Sequence, residues 1–291
     1  MSQPQRVVVV TGASSGIGME TAKAFAAMGW HVIGQGRDPG RSEAAEGAIR
    51  AACAEGGKVD FLRANLSLMR ETKQLADGIR SLTNRIDLLL NNAGGIRDDK
   101  YLTAEGTEET FAANHFAPFL LTRELLPLLK ETAAGSPADA VRIITVSSIA
   151  YAYPADGLNF GDLQHLNSPY RAGAVYCESK LANQLFNLAL SKRLAGTGIV
   201  SQALVPGVVH SNFSAQGDDN FKKMVKDSPG LTPAEAARSL VWLATARETG
   251  SPGGRMFYDM AEQPVVPLGT DEAAADRLWM ETEAVLSGLG F

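Results

Sequence analysis

Residues 6–18, "RVVVVTGASSGIG", decide the fold. Four consecutive valines leave no polar face, as a strand buried on both sides of a sheet requires. The run stops at Gly12, and Gly16 and Gly18 follow just before an amphipathic stretch over 17–28. A buried strand feeding a helix through a glycine-rich turn opens a βαβ unit. Glycines let the backbone come close to a bulky anion, and a helix N-terminus adds free N–H groups and the positive end of its dipole. The turn Gly12, Ser14, Ser15, Gly16, Ile17, Gly18 therefore predicts a nucleotide pyrophosphate site. Detached from its strand and helix, such a turn is only a tight connection. Its spacing, G-x-x-x-G-x-G, is not the G-x-G-x-x-G of the common dinucleotide fingerprint.

Outward from that turn the pattern repeats. Strands are expected at 6–12, 30–36, 58–65, 86–92, 141–148 and 199–207, and amphipathic helices at 17–28, 68–83, 107–130 and 175–195. A final pair follows, "LTPAEAARSLVWLAT" and "GRMFYDM", with Thr232, Pro233 and Glu235 forming a helix start. Regular alternation implies an α/β fold, a doubly wound parallel sheet with helices on both faces. No repeat, linker or low-complexity tract divides the chain, so one Rossmann-type domain over 1–291 is expected, with long excursions near 151–174 and 210–231.

Composition excludes several classes. A net charge of −5 without a long basic run argues against nucleic acid and anionic membranes as partners. No apolar run approaches the ~18 residues of a membrane span. The start "MSQPQRVVVVTG" shows no targeting pattern, and Cys53 and Cys177 stand in no metal or redox spacing. These features predict a soluble cytoplasmic protein with core-filling thiols and no metal; homo-oligomerisation is left open.

The second strand ends in "GQGRDPGR" (34–41). NAD sites place an acid about 20 residues past the glycine turn to hold the ribose 2′-hydroxyl. Gly36 stands there instead, followed by Arg37, whose guanidinium suits a 2′-phosphate. Gly36 is read as leaving space for it, and NADP(H) is preferred over NAD(H). The competing reading is a surface arginine paired with Asp38.

In "AVYCESKLAN" (174–183), Tyr176 precedes Lys180 by four residues, which puts both on one helix face; no other tyrosine has a lysine at that spacing. A phenol ordinarily titrates near ~10. An ammonium at ~4 Å favours the phenolate by roughly 4 kcal/mol at an effective dielectric of ~20, about 3 pKa units. Alone, such a pair is more often a half-buried tyrosine beside a solvated lysine.

The glycine turn, "NNAG" at 91–94, the serine pair 147–148, Tyr176-x-x-x-Lys180 and "PGVV" at 206–209 occur in the order found in the short-chain dehydrogenase/reductases, and the resemblance covers nearly the whole chain. "QGRD", "NHFAPFLLT" (114–122), "YCESKLAN" and the tail "LGTDEAAADRLWMETEAVLSGL" resemble the retinol-dehydrogenase-like branch. The resemblance implies catalytic roles for Asn114 (support of a water relay), Ser148 (substrate oxygen; Ser147 if the alignment slips by one), Tyr176 (proton transfer) and Lys180. It implies cofactor contacts for Asn65, Leu66, Asn91, Ala93, Gly94, Tyr176, Lys180, Pro206, Gly207, Val209 and Ser211. Asn65 replaces the usual aspartate, and its amide oxygen is expected to accept from the adenine amino group. Ser211 replaces a threonine. Blander roles for these residues are turn caps, backbone partners and core.

The implied reaction exchanges hydride between NADP(H) and a carbonyl carbon, with Tyr176 as acid or base. NAD-dependent alcohol oxidation, a silent NADP sensor and a sugar-nucleotide epimerase are the alternatives. Tyr151, Tyr153, Leu158 and Phe160 in one excursion and Phe213, Phe221 and Met224 in the other either line a pocket for a bulky hydrophobic ketone, aldehyde or alcohol or merely pin the loops. A soluble aromatic or alicyclic substrate is expected ahead of a lipid-embedded one.

Overall fold

The computed structural model describes residues 4–291, so the first three residues of the N-terminal stretch lie outside the described residues. The sheet is built from β1 (Val7–Val10), β2 (His31–Gly36), β3 (Lys58–Arg63), β4 (Leu88–Asn91), β5 (Val141–Val146), β6 (Ile199–Leu204), β7 (Met256–Tyr258) and β8 (Ala261–Gln263). The order is β3-β2-β1-β4-β5-β6-β7-β8, parallel throughout except that β8 returns antiparallel to β7. The chain winds from β1 out to β3, then restarts at β4 on the other side of β1. That reversal opens a crevice at the carboxyl ends of β1 and β4, where ligands bind in such sheets.

The four valines show why β1 is central. Val7 and Val9 belong to one apolar core, with Phe119, Leu125, Leu185 and Phe186. Val8 and Val10 belong to the other, with Phe25, Trp30, Leu240 and Phe257. Alternate side chains of one strand thus feed both layers. The first layer contains α3 (Met69–Leu82), α5 (Ala117–Ala134), α6 (Ala172–Arg193) and α9 (Glu272–Gly288); the second contains α1 (Gly16–Ala27), α2 (Pro39–Ala51) and α8 (Pro233–Thr245). The predicted start of α8 is a full capping box: Thr232 Oγ1 accepts from Glu235 N, and Glu235 Oε2 accepts from Thr232 N at 2.7 Å.

Several elements depart from the sequence expectation. The helix expected over 107–130 is α4 (Glu109–Phe111), a π-helical turn at Ala112–Phe116, and then α5. The turn is anchored by His115, whose Nε2 lies 2.8 Å from Thr282 Oγ1 of α9 and whose pKa burial lowers to about 3, so it packs as a neutral ring. The second excursion is largely helical, with α7 at Asp219–Asp227. Helices α2 and α9 and strand β8 were not anticipated, although Asp38, accepting from Arg41 N at 2.8 Å, and Pro39 give α2 a legible start. Among the described residues, no helix is long and apolar enough to cross a membrane, and no cluster of His, Cys, Asp and Glu could hold a metal ion.

Candidate active site

The carboxyl ends of β1, β2, β4, β5 and β6 open into one cleft of about 1040 Å³. Its floor is locked by side chains that bridge the strand ends. Thr11 Oγ1 donates to Leu90 O at 3.2 Å and accepts from Asn92 N and Ala93 N, each at 3.0 Å. Gln35 accepts from Gly12 N at 3.0 Å and donates to Ala64 O at 2.7 Å. Gly12 has φ +68°, and a Cβ there would lie 2.9 Å from Asn92 Nδ2; a Cβ at Gly18 would lie 2.4 Å from Gly12 O. Gly12 and Gly16 therefore face the cleft with Ser14, Ser15 and Ile17, whereas Gly18 lies beneath the turn and lets it close.

At one end stand Arg37, Arg41, Asn65 and Leu66. Arg37 is not paired with Asp38, which caps α2 and faces Arg41 at 3.6 Å; its nearest carboxylate is Glu109, with Nη1 3.9 Å from Oε1. Gly36 does not leave space as expected. A Cβ there would meet Ser42 Oγ at 2.6 Å and Ser14 Cβ at 2.7 Å, so close packing excludes any side chain. Asn65 also differs: its amide oxygen already accepts from Ser67 N at 3.2 Å and Ser67 Oγ at 2.9 Å, using both lone pairs and leaving only its N–H groups to offer. Asn91 does not line the cleft. It is buried at the end of β4, with Nδ2 donating to Thr122 Oγ1 at 3.0 Å, and its neighbours Asn92, Ala93 and Gly94 take the lining positions.

The middle of the cleft holds the catalytic candidates. Ser147 is buried and donates to Lys180 O at 3.0 Å, which leaves Ser148 as the serine facing the phenol of Tyr176. Ser148 also caps the turn at Ile149–Ala152, accepting from Ala150 N at 3.2 Å. Lys180 Nζ lies 5.6 Å from the Tyr176 ring centroid and donates to Val146 O at 3.3 Å. The lowered phenol pKa expected from that pair is not what the chain's own groups produce. Burial pushes the Tyr176 pKa up, offset in part by the hydrogen bond with Ser148, and burial lowers Lys180 to about 8. The expectation placed both groups in a wet dielectric; the ring is only 7% exposed, and desolvation is the largest influence on the phenol.

Asn114, in the π-helical turn, accepts from Gly95 N at 2.8 Å and donates to Gly95 O and Ser179 Oγ, each at 2.9 Å. Both amide hydrogens are used, and the side chain clamps the Gly94–Gly95 loop beside Lys180. Pro206, Gly207, Val209 and Ser211 line the wall opposite. Val208 O accepts from Leu231 N at 2.8 Å and His210 N donates to Leu231 O at 3.0 Å, which closes the base of the second excursion.

The far end is apolar, walled by Ile149, Tyr153, Val208, Phe213, Phe221 and Met224, with Tyr258 and Gln263 from the β7–β8 hairpin. Phe213 and Phe221 sit 5.4 and 6.1 Å from the Tyr176 ring. Leu158 and Phe160 do not line the cleft: Leu158 is core, and Phe160 lies under the Arg277 guanidinium at 4.4 Å. Cys177 lines the cleft and Cys53 packs at the edge of a core. Arg41, Asn92, Glu109, Tyr258 and Gln263 were missed by sequence reasoning; Asn92, inside the quoted "NNAG", and Arg41, four residues past Arg37, carried a signal.

Comparison with known proteins adds three findings. The short chain dehydrogenase family profile matches residues 6–160. Human retinol dehydrogenase 13 is 35% identical over 98% of this chain and 86% of its own length, and human polyprenol dehydrogenase is 32% identical over 96% and 84%. A crystal structure of an uncharacterised protein from Mycobacterium paratuberculosis superposes with a TM-score of 0.74 at 29% identity, covering 97% of this chain and 94% of that one.

Proposed function

This chain belongs to the short-chain dehydrogenase/reductases, in their retinol-dehydrogenase-like branch, a family of hydride-transfer oxidoreductases; on that premise we propose that it reduces an uncharged, bulky hydrophobic ketone or aldehyde to its alcohol with NADPH. The observation that carries the proposal is the polarity of the cleft. Its charged lining residues are Arg37, Arg41, Arg97, Glu109 and Lys180, whereas the lining residues supplied by the two excursions and the β7–β8 hairpin, Tyr153, Phe213, Phe221, Met224 and Tyr258 among them, carry no charge. The names of the two human relatives, for retinol and polyprenol, agree with a long apolar substrate.

A dinucleotide fits the residues present. The glycine turn is packed so closely on Asn92 and Ala93 that it brings bare backbone to the cleft, and a guanidinium stands at the end where a 2′-phosphate would lie. When bound, the nicotinamide supplies or takes the hydride at the carbonyl carbon. The other steps are the chain's own. Ser148 and Tyr176 present two hydroxyls to the substrate oxygen, and as charge develops there Tyr176 gives its proton. Burial favours the protonated phenol, the form that reduction consumes. Lys180 spends one donor on Val146 O and keeps the rest for a cofactor ribose, while its charge, when present, offsets the cost of a transient phenolate. Asn114 is a positioning residue that holds Gly94–Gly95 against this group.

The whole chain acts as one catalytic unit in this proposal, because the cleft draws residues from Gly12 to Pro264. The two cysteines, both free, agree with a reducing cytoplasmic compartment. A panel of carbonyls and alcohols with NADPH and NADH, followed by nicotinamide absorbance, tests the assignment. NADPH-dependent reduction, fastest with hydrophobic carbonyls, is expected. Failure to turn over any of them, or equal use of NADH, sinks the corresponding half.

A further inference from the structure

We propose that Glu109 narrows the cofactor preference that Arg37 creates by standing in for the 2′-phosphate at its guanidinium; the inference rests on Arg37 being the phosphate-reading group. Glu109 is held from behind by Arg97, whose Nη2 pairs with Oε1, and that same oxygen lies 3.9 Å from Arg37 Nη1. All three residues line the cleft. One carboxylate oxygen therefore bridges two guanidiniums that come from different loops, Arg37 after β2 and Arg97 after β4.

The geometry is unequal. Arg97 is 14% exposed and Glu109 is 21% exposed, so their pair is the buried, persistent one. Arg37 is 44% exposed and reaches Glu109 only at long range. A pair of that kind is weak and easily exchanged. An arriving 2′-phosphate, with about two negative charges, would take Arg37 from Glu109, while Arg97 keeps the carboxylate in place. The carboxylate then remains as a like charge near the phosphate and weakens its binding. NAD carries no group there and feels little of this. Arg41, the other cation at this end, is 53% exposed and faces Asp38, so it does not relieve the repulsion. Glu109 thus narrows the selectivity that Arg37 creates.

Titration of NADPH and NADH against the full chain and the variants Glu109→Gln, Glu109→Asp, Arg37→Ala and Arg37→Ala/Glu109→Gln reads this out. Glu109→Gln should tighten NADPH about 3- to 10-fold and NADH less than about twofold, with the gap shrinking as salt rises. Glu109→Asp keeps the charge and should leave NADPH within about twofold of the parent. In the Arg37→Ala background the competition for Arg37 is gone and only the like charge remains, so the gain in NADPH affinity from Gln should be smaller than in the parent. An equal change for both cofactors, a weakening of NADPH, or equal tightening by Asp and Gln would make Glu109 a brace for Arg97 and overturn the proposal. An Arg37→Ala chain that binds NADPH as well as the parent would instead remove the reading of Arg37 itself. Melting temperatures of the variants separate loss of fold from loss of charge.

Discussion

At the Arg37 end of the cleft the walls are strand termini and the turns behind them; at the Phe213 end they are two excursions laid over the sheet. The first set is held by bonds that cross the sheet, such as Thr11 to Asn92 and Gln35 to Ala64. The two excursions differ again from each other. The first is pinned: Tyr151 Oη accepts from Val266 N at 3.1 Å, Tyr170 Oη donates to Glu108 Oε1 at 2.9 Å, and His165 Nε2 meets Glu178 Oε2 at 3.1 Å. In the second, α7 has no buried residue. Its Phe221 joins Phe213, Ile96, Ala150, Cys177 and Tyr176 in a small apolar cluster apart from both main cores. On the proposed function, recognition of a constant partner, the cofactor, would be built into the sheet, and recognition of a variable one left to a weakly held helix.

Tyr176 marks the border between the two ends, and its substitution tests where that border lies. Tyr176→Phe should cost at least ~10²-fold in turnover, because the ring stays and the proton is gone. NADPH affinity should hardly change; a collapse in affinity alongside turnover would place the phenol in the cofactor end instead.

Lys180 has the next effect, and it appears in stability before any cofactor is added. Burial lowers its pKa from the usual 10.5 to about 8. Between those values the unfolded chain holds more protons than the folded one, so stability should rise with pH from about 8 toward 10.5. Below about 8 the full penalty of burying the charge remains, on the order of 3 kcal/mol. Lys180→Met should therefore stabilise the chain at pH 7 and flatten the rise above pH 8 in denaturant titrations, while damaging turnover and ribose binding. A parent chain with no such rise would mean that the ammonium is solvated. Arg37→Ala comes third: loss of one charge-assisted hydrogen bond, roughly 1.5–3 kcal/mol, should weaken NADPH about 10- to 150-fold and spare NADH. Reversal by an acid at Gly36 is not a usable test, since Ser14 and Ser42 already fill that space.

The same contrast explains what was legible in the sequence. Strands β1 and β4 could be read because burial on both faces leaves unbroken apolar runs, VVVV and LLL, and the glycine turn because a Cβ at Gly12, with φ +68°, would meet Asn92 at 2.9 Å. Edge and surface elements were lost: β8 reads "AEQ", with no apolar pattern, and α9 is amphipathic against α6 rather than against the sheet. At the site, residue types were legible but not their neighbours. Nothing in "GQGRD" tells that Ser14 and Ser42 close on Gly36, and nothing in "YCESK" tells how dry the phenol becomes. Bulky apolar and aromatic residues in both excursions looked equivalent in sequence; packing sent Leu158 and Phe160 to the body and Tyr153, Phe213 and Phe221 to the cleft.

Phe221→Ala gives the smallest effect and bears most directly on the adaptable wall. Truncating a core phenylalanine costs about 3–5 kcal/mol. Phe221 is only partly buried, and its contacts are Tyr176 at 6.1 Å and Phe213 at 5.9 Å between ring centroids. Aromatic pairs of this kind contribute about 0.5–1.5 kcal/mol each. Stability should therefore fall by about 1 kcal/mol or less, since α7 can relax onto the surface. KM for a bulky hydrophobic carbonyl should rise about fivefold, the equivalent of one lost ring contact of roughly 1 kcal/mol, while a small carbonyl that never reaches α7 keeps its parent values. Removing the ring also admits water to the phenol, so the Tyr176 pKa should move down from its raised position, and the acid-dependent limb of the reduction profile should shift to lower pH with it. A loss of several kcal/mol, or equal damage to small and bulky substrates, would show α7 to be as much a part of the body as the pinned excursion.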